Sequence, residues 1–152
     1  MSFVSFVRRA VTDDLSSLLV LVRAFCAADG HEYHEGRVSA ALTPLLGDDY
    51  LGQVWVVSPH EDPSRLLGYA VVTWSWSLES GGRDCLLDEI FVSEQGAGIG
   101  SELLLHAMSR ASEAGAAAMF LETEAHNSMV RRFYARNGFT SEDSVWMRTG
   151  LG

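Results

Sequence analysis

The sequence predicts an α/β (α+β) domain, a mixed, mainly antiparallel central sheet flanked by helices, in the order β-α-α-β-β-β-α-β-α-β-β. Three observations carry that prediction. Apolar runs at 53–58, 67–78 and 85–92 are separated by short turn-rich segments, the pattern of a three-stranded antiparallel meander. Apolar residues recur at helical spacing before the meander and again after it. Between the third run and the helix that follows it lies Gln95-Gly96-Ala97-Gly98-Ile99-Gly100-Ser101, with glycines at alternate positions.

Composition bounds the rest. The chain has 152 residues, 47% hydrophobic and 20% charged, which fits one globular domain over 1–152 with a sizeable core. Net charge is −9 and there is no basic block, so nucleic acid is disfavoured and a cationic small molecule would be mildly attracted. No apolar run approaches the length of a membrane span, and the N-terminus lacks a signal-peptide pattern. Cys26 and Cys85 lie far apart in apolar segments and read as reduced, buried thiols of a cytoplasmic protein.

Taken in order, residues 3–9 read as a first strand. Thr12-Asp13-Asp14 supplies an N-cap and first-turn acids. Leu15, Leu18, Leu19, Val22 and Phe25 then form the apolar stripe of a helix that ends near Asp29-Gly30. A second helix is expected over about 35–46, with Val38, Ala41, Leu42 and Leu45 on one face and Pro44 blurring its end. Residues 53–58 form a strand closed by the turn-rich 59–63. In the strand 67–78, Tyr69, Val71, Thr73 and Ser75 alternate with Ala70, Val72, Trp74 and Trp76. Ser80-Gly81-Gly82 turns that strand into 86–92. The glycine turn opens a helix bearing Leu103, Leu104, Ala107, Met108 and Ala111, which ends near Ala114-Gly115. A strand over 118–123 follows. Asn127 caps a helix running to Arg136, which Asn137-Gly138 stops. Short strands at 139–141 and 144–148, joined by Glu142-Asp143, complete the order.

The glycine turn has a physical use. A strand, a glycine-rich turn and a helix N-terminus together present backbone N–H groups and the positive end of a helix dipole, which suit an anion such as a pyrophosphate. Glycine lets the ligand approach because no Cβ intervenes. A turn that needs glycine only for its backbone angles is the alternative.

Two motifs in this order resemble the GNAT N-acetyltransferase superfamily. Gln95-Gly96-Ala97-Gly98-Ile99-Gly100 is similar to its (Arg/Gln)-x-x-Gly-x-(Gly/Ala) pyrophosphate loop. Asn127 through Phe139 is similar to its Asn-x₆-Tyr helix ending in Gly-Phe. Only Ser93 and Glu94 separate Val92 from Gln95, about two residues fewer than is common in the family, so the loop is entered abruptly.

The resemblance implies acetyl-CoA as donor and a primary amine as acceptor, and the scattered histidines without a cysteine cluster give no metal site. It assigns the donor to Ile90, Phe91, Val92, Gln95, Gly96, Ala97, Gly98, Ile99, Gly100, Ser101, Asn127, Phe133 and Tyr134. An amine near its ordinary pKa is mostly protonated at neutral pH, so a base must remove a proton before it attacks. Asp88 or Glu89 is the candidate base or ammonium anchor; strand alternation sends the two side chains to opposite faces, so one of them at most would point into a given cleft. A backbone N–H near Ile90 to Val92 would stabilise the oxyanion. Tyr134 stands at the family's position for the acid that protonates the leaving thiolate. It lies seven residues after Asn127, so the two share a helix face. Glu32, Tyr33, Trp74, Trp76 and Glu79 are candidates for the acceptor pocket, with core packing as the alternative for the tryptophans.

Arg131, Arg132 and Arg136 read as a solvated helix face, and His126 as a loop residue. His31-x-x-His34 with Glu32 has no companion cysteine or histidine cluster to make a metal site. A dinucleotide-binding fold is disfavoured because the glycines follow Gly-x-Gly-x-Gly rather than Gly-x-Gly-x-x-Gly, and no Lys-Ser/Thr follows them as in a phosphate-binding loop of the Walker type. The reading is therefore an acetyltransferase acting on an amine, in the first instance that of a small molecule. Peptide N-termini, lysine side chains, polyamines and aminoglycosides stay open as acceptors, and a homodimer is admitted. The rival is a non-catalytic acyl-CoA-binding sensor or regulatory domain.

Overall fold

Alternating apolar residues build the sheet. Strands β1 (Ser5–Arg9), β2 (Gly52–Pro59), β3 (Gly68–Ser77), β4 (Gly82–Val92) and β5 (Met119–Phe120) lie side by side in that order. The first four are mutually antiparallel, and β5 joins β4 in parallel through Cys85 and Leu86. The computed structural model describes residues 5–94 and 98–152. They group into two units, Met1–Glu122 and Thr123–Gly152.

In the first unit the sheet is covered on both faces, so that β2 is buried along its whole length. Helices α1 (Leu15–Asp29) and α2 (Glu35–Gly47) bring Leu18, Val22, Leu42 and Leu45 onto Val54, Val56, Tyr69 and Val71, forming one apolar core. The alternate strand residues Trp55, Val57, Ala70 and Val72 are equally buried, as are Leu103, Leu104, Ala107 and Ala111 of α3 (Ile99–Glu113). Each buried valine or leucine among them contributes about 1.5–3 kcal/mol by leaving water, and each alanine less. Cys26 and Cys85 are both free and buried. Burial pushes the Cys85 thiol up to about 11 and also raises that of Cys26, so both are poor nucleophiles.

Helix ends follow their local chemistry. Thr12–Asp14 forms a single 3₁₀ turn rather than the simple cap expected, and the Asp14 carboxylate accepts the Val11 N–H at 2.8 Å. Gly30 ends α1 at φ +72°, which lets His31 N–H donate to Cys26 O at 2.9 Å. Pro44 does not stop α2: it falls in the last turns, where the burial of Leu45 and Leu46 outweighs one lost helical bond.

Two strand expectations are corrected. β4 begins at Gly82, earlier than the hydrophobic pattern suggests, because the turn at 78–81 is tight enough for Gly82 to oppose Ser77. The register of β3 and β4 then shifts. Val71 opposes Glu89 but Val72 opposes Leu87, so Asp88 is the extra residue of a β-bulge.

The second unit carries α4 (Ser128–Arg136). Asn127 Oδ1 accepts the Val130 N–H at 3.2 Å, and Gly138 at φ +94° lets Phe139 N–H donate to Tyr134 O at 3.1 Å. The two expected strands at 139–141 and 144–148 do not form. A strand needs a neighbour to take its backbone bonds, and alternation alone does not provide one. Val145 and Met147 are 85% and 90% exposed, so the apolar side of the pattern is not buried.

Candidate active site

The bulge at Asp88 decides the geometry of the first unit's cleft. Regular alternation would place Asp88 and Glu89 on opposite faces, and that expectation is overturned: both line one cleft of about 160 Å³. The inserted residue resets the alternation between Leu87, which is buried opposite Val72, and Glu89, which is paired with Val71 of the α1/α2 core. Helix α2 contributes Arg37, Val38, Ala41, Leu42 and Leu45 to the same cleft. Val22 of α1 and Val71 of β3 complete its apolar wall.

These surroundings tune the carboxylates. Burial pushes Glu89 above the ordinary carboxylate range, and the neighbouring Asp88 charge adds to the rise. The Tyr69 hydrogen bond and His31 oppose it, while Asp29 adds a little more. Burial likewise raises Asp88, although that side chain still reaches solvent. Tyr69, fully buried, donates its hydroxyl proton to Glu89 Oε1 at 2.7 Å, and its own pKa is driven far up by burial and by the two carboxylates. Phe91 packs near Tyr69 and Phe25, with ring centroids 6.3 and 6.0 Å apart. The result is a pair of carboxylates that take up a proton more readily than usual, one of them held in place by a buried phenol.

Beside the cleft, Ile90, Phe91 and Val92 pair with Ala70, Tyr69 and Gly68 of β3. On its other side β4 pairs with β5 only at Cys85 and Leu86, so among the described residues 87–92 have no strand partner there. Gln95, Gly96 and Ala97 lie outside the described residues. Gly98 caps α3 at φ +72°, and a Cβ built on it would meet nothing within 4 Å. The first helical bond runs from Glu102 N–H to Gly98 O at 3.0 Å, so the positive end of the dipole opens at this turn. Ile99 is buried beneath it, while Gly100 and Ser101 are half-buried. An open left-handed glycine at a helix start and an unpaired strand edge form a donor set that fits an extended, phosphate-bearing thioester.

In the second unit, Tyr134 is half-buried, with its ring edge-on to Phe133 at 5.2 Å and to Phe139 at 5.6 Å. Burial raises its hydroxyl pKa, so it stays protonated through neutral pH. Asn127, two helical turns earlier, spends its side-chain oxygen on the cap.

The five acceptor-pocket candidates from the sequence stand elsewhere than the carboxylate cleft lining. Glu32 is exposed and 3.4 Å from His34 Nε2. Tyr33 packs against the core. Trp74 Nε1 donates to Asp49 O at 2.7 Å beneath the Arg83 guanidinium; Trp76 is 76% exposed, and Glu79 is exposed in the β3–β4 turn. Sequence reasoning missed Tyr69 and Arg37. Tyr69 was one residue of an alternating strand, and no motif or spacing singled out Arg37.

A model of the acetyltransferase (GNAT) family matches residues 21–139. No curated protein matches the sequence. Among solved structures, an integron cassette protein from the mobile metagenome of Cole Harbour Salt Marsh is similar at 26% identity, TM-score 0.83, over 96% of this chain and 90% of that one. An aminoglycoside acetyltransferase from an uncultured soil metagenomic sample is similar at 19% identity and TM-score 0.77, over 97% and 95%. A transcriptional regulator from Bacillus halodurans C-125 is similar at 21% identity and TM-score 0.77, over 96% and 100%. The last two likenesses speak for the fold alone.

Proposed function

The chain belongs to the acetyltransferase (GNAT) family, and on that premise we propose that it moves an acetyl group from acetyl-CoA to a primary amine, with Glu89 as the base, Asp88 as the ammonium anchor and Tyr134 as the acid. The observation that carries this reading is the pair Asp88 and Glu89 in one apolar-walled cleft, both with raised pKa values. An acceptor amine arrives mostly as an ammonium ion, and a carboxylate there both attracts the cation and can take its proton. Glu89 suits the base because its oxygen is fixed by Tyr69; Asp88, which reaches solvent, suits the anchor.

Bound acetyl-CoA would supply an activated acyl thioester. The turn at Gly98 and the start of α3, together with Gln95, Gly96 and Ala97, would hold its phosphates. The free edge of β4 near Ile90, Phe91 and Val92 would hold its extended arm and point a backbone N–H at the developing oxyanion. The amine nitrogen gains the N–C bond as the C–S bond breaks. Glu89 takes the ammonium proton, the Tyr134 hydroxyl gives one to sulfur, and the second proton that nitrogen sheds as the amide forms restores the phenol. Asn127 and Phe133 shape the same helix. The family match runs through both units, which supports reading them as one catalytic domain, active as a monomer or a homodimer. The free, buried thiols of Cys26 and Cys85 support a cytoplasmic enzyme. No helix among the described residues is long and apolar enough to cross a membrane.

The test is release of free thiol from acetyl-CoA across a panel of primary amines. Amine-dependent release is expected. Tight coenzyme A binding with no release from any amine would favour the sensor.

A further inference from the structure

The cleft that holds the carboxylates also holds a cation. Arg37 lines it from α2, and among the described residues it makes neither an ion pair nor a side-chain hydrogen bond. The other arginines near the sheet are engaged: Arg8 with Asp14, Arg9 with Asp49, and Arg83 with Ala114 O. In a chain with only 11 basic residues against 20 acidic ones, Arg37 is an exposed arginine, unpaired among the described residues, at a cleft that two carboxylates also line. A cleft built only to draw in amines would gain from having no positive charge at all, since Arg37 repels an incoming ammonium.

Two carboxylates on β4, a guanidinium on α2 and aliphatic side chains in the same cleft describe an amphoteric ligand. On the reading that this is the acceptor site, we infer that the acceptor is an α-amino acid with an aliphatic side chain: its amine at Asp88 and Glu89, its carboxylate at Arg37, and its side chain among Val22, Val38, Leu42 and Leu45. A guanidinium offers a planar fork of donors that matches a carboxylate. Val38 and Leu42 are four residues apart on α2, and Arg37 adjoins Val38, so the helix sets one cation next to an apolar strip. The size agrees. At about 160 Å³ the cleft is smaller than the roughly 300–1,000 Å³ of sites that enclose drug-sized molecules, which suits a compact acceptor rather than an oligosaccharide.

The experiment compares leucine with 3-methylbutylamine, the same molecule without its carboxylate, in the wild type and in Arg37→Gln and Arg37→Glu. Binding is read by calorimetry, and turnover by thiol release from acetyl-CoA. Because the two amines differ in intrinsic reactivity, the informative quantity is the change in their kcat/KM ratio between variants. The wild type should favour leucine by tenfold or more relative to Arg37→Gln, and Arg37→Glu should push the ratio further toward the amine. A ratio that Arg37 substitution leaves unchanged overturns the inference while leaving the acetyltransferase reading intact. Failure of leucine, isoleucine and methionine alike to bind or react overturns it too. Arg37-dependent leucine binding without any thiol release supports the ligand class and counts against the acetyltransferase reading instead.

Discussion

The Tyr69 hydroxyl donates to Glu89 Oε1 across 2.7 Å, joining β3 to β4 two residues along from the register pair Val71–Glu89. This bond holds the carboxylate in the cleft and lowers its proton affinity, against the larger upward push of burial. Tyr69→Phe keeps the ring and removes the bond. A hydrogen bond to a charged group is worth about 1.5–3 kcal/mol, and 1.36 kcal/mol is one pKa unit. The acid limb of the kcat/KM profile, expected above the ordinary carboxylate range, should therefore move up by about one to two units. A limb that stays in place would remove Tyr69 from the positioning of Glu89.

How much of this was legible in the sequence depends on the interaction range. The α4 cap was legible because Asn127 bonds Val130 three residues on, and its stop because Gly138 must adopt a left-handed φ. The meander was legible because alternation and turns are local. The shared cleft of Asp88 and Glu89 was not, since a bulge is a relation between two strands and one extra residue reverses every orientation beyond it. Arg37 lies 51 residues before Asp88, and no spacing rule links them. The alternation at 144–148 was over-read, because pattern reports what a strand would bury and not whether an edge receives it.

Gly98 should be sensitive through its backbone rather than through space. A side chain there meets no atom, but φ +72° costs a β-branched residue on the order of 1–2 kcal/mol and reshapes the turn. Gly98→Val should weaken coenzyme A binding by tenfold or more in calorimetry, with the circular dichroism spectrum retained. Unchanged affinity would separate this turn from the phosphates.

Tyr134→Phe keeps the packing on Phe133 and Phe139 and deletes only the hydroxyl. Turnover should fall roughly 10²- to 10⁴-fold, the range for general acid catalysis, with coenzyme A affinity little changed. A drop of less than about threefold, with the chemical step shown to limit the rate, would make Tyr134 a packing residue.

Stability should depend on Asp14. Arg8 Nη1 and Nη2 bond both carboxylate oxygens at 2.8 and 2.9 Å and hold Asp14 below the usual range despite its burial. A lowered folded pKa adds stability above the unfolded value of about 3.9 and loses it as pH falls through the folded value. Asp14→Asn should cost about 2–3 kcal/mol at neutral pH, read as roughly 5–10 °C in Tm. The gap from wild type should narrow below about pH 4. A gap that does not vary with pH would mean that the ion pair is not its source.

On the proposed reading, the bulge at Asp88 turns two adjacent carboxylates into one amine site. The most direct measurement is amine-dependent thiol release from acetyl-CoA by Asp88→Asn and by Glu89→Gln, with coenzyme A binding followed in parallel. Glu89→Gln should lower kcat by roughly 10²-fold or more, and Asp88→Asn should raise the KM for the amine by about tenfold, both with coenzyme A affinity retained. One substitution harmful and the other silent, as regular strand alternation would give, or wild-type turnover in both, would contradict the account.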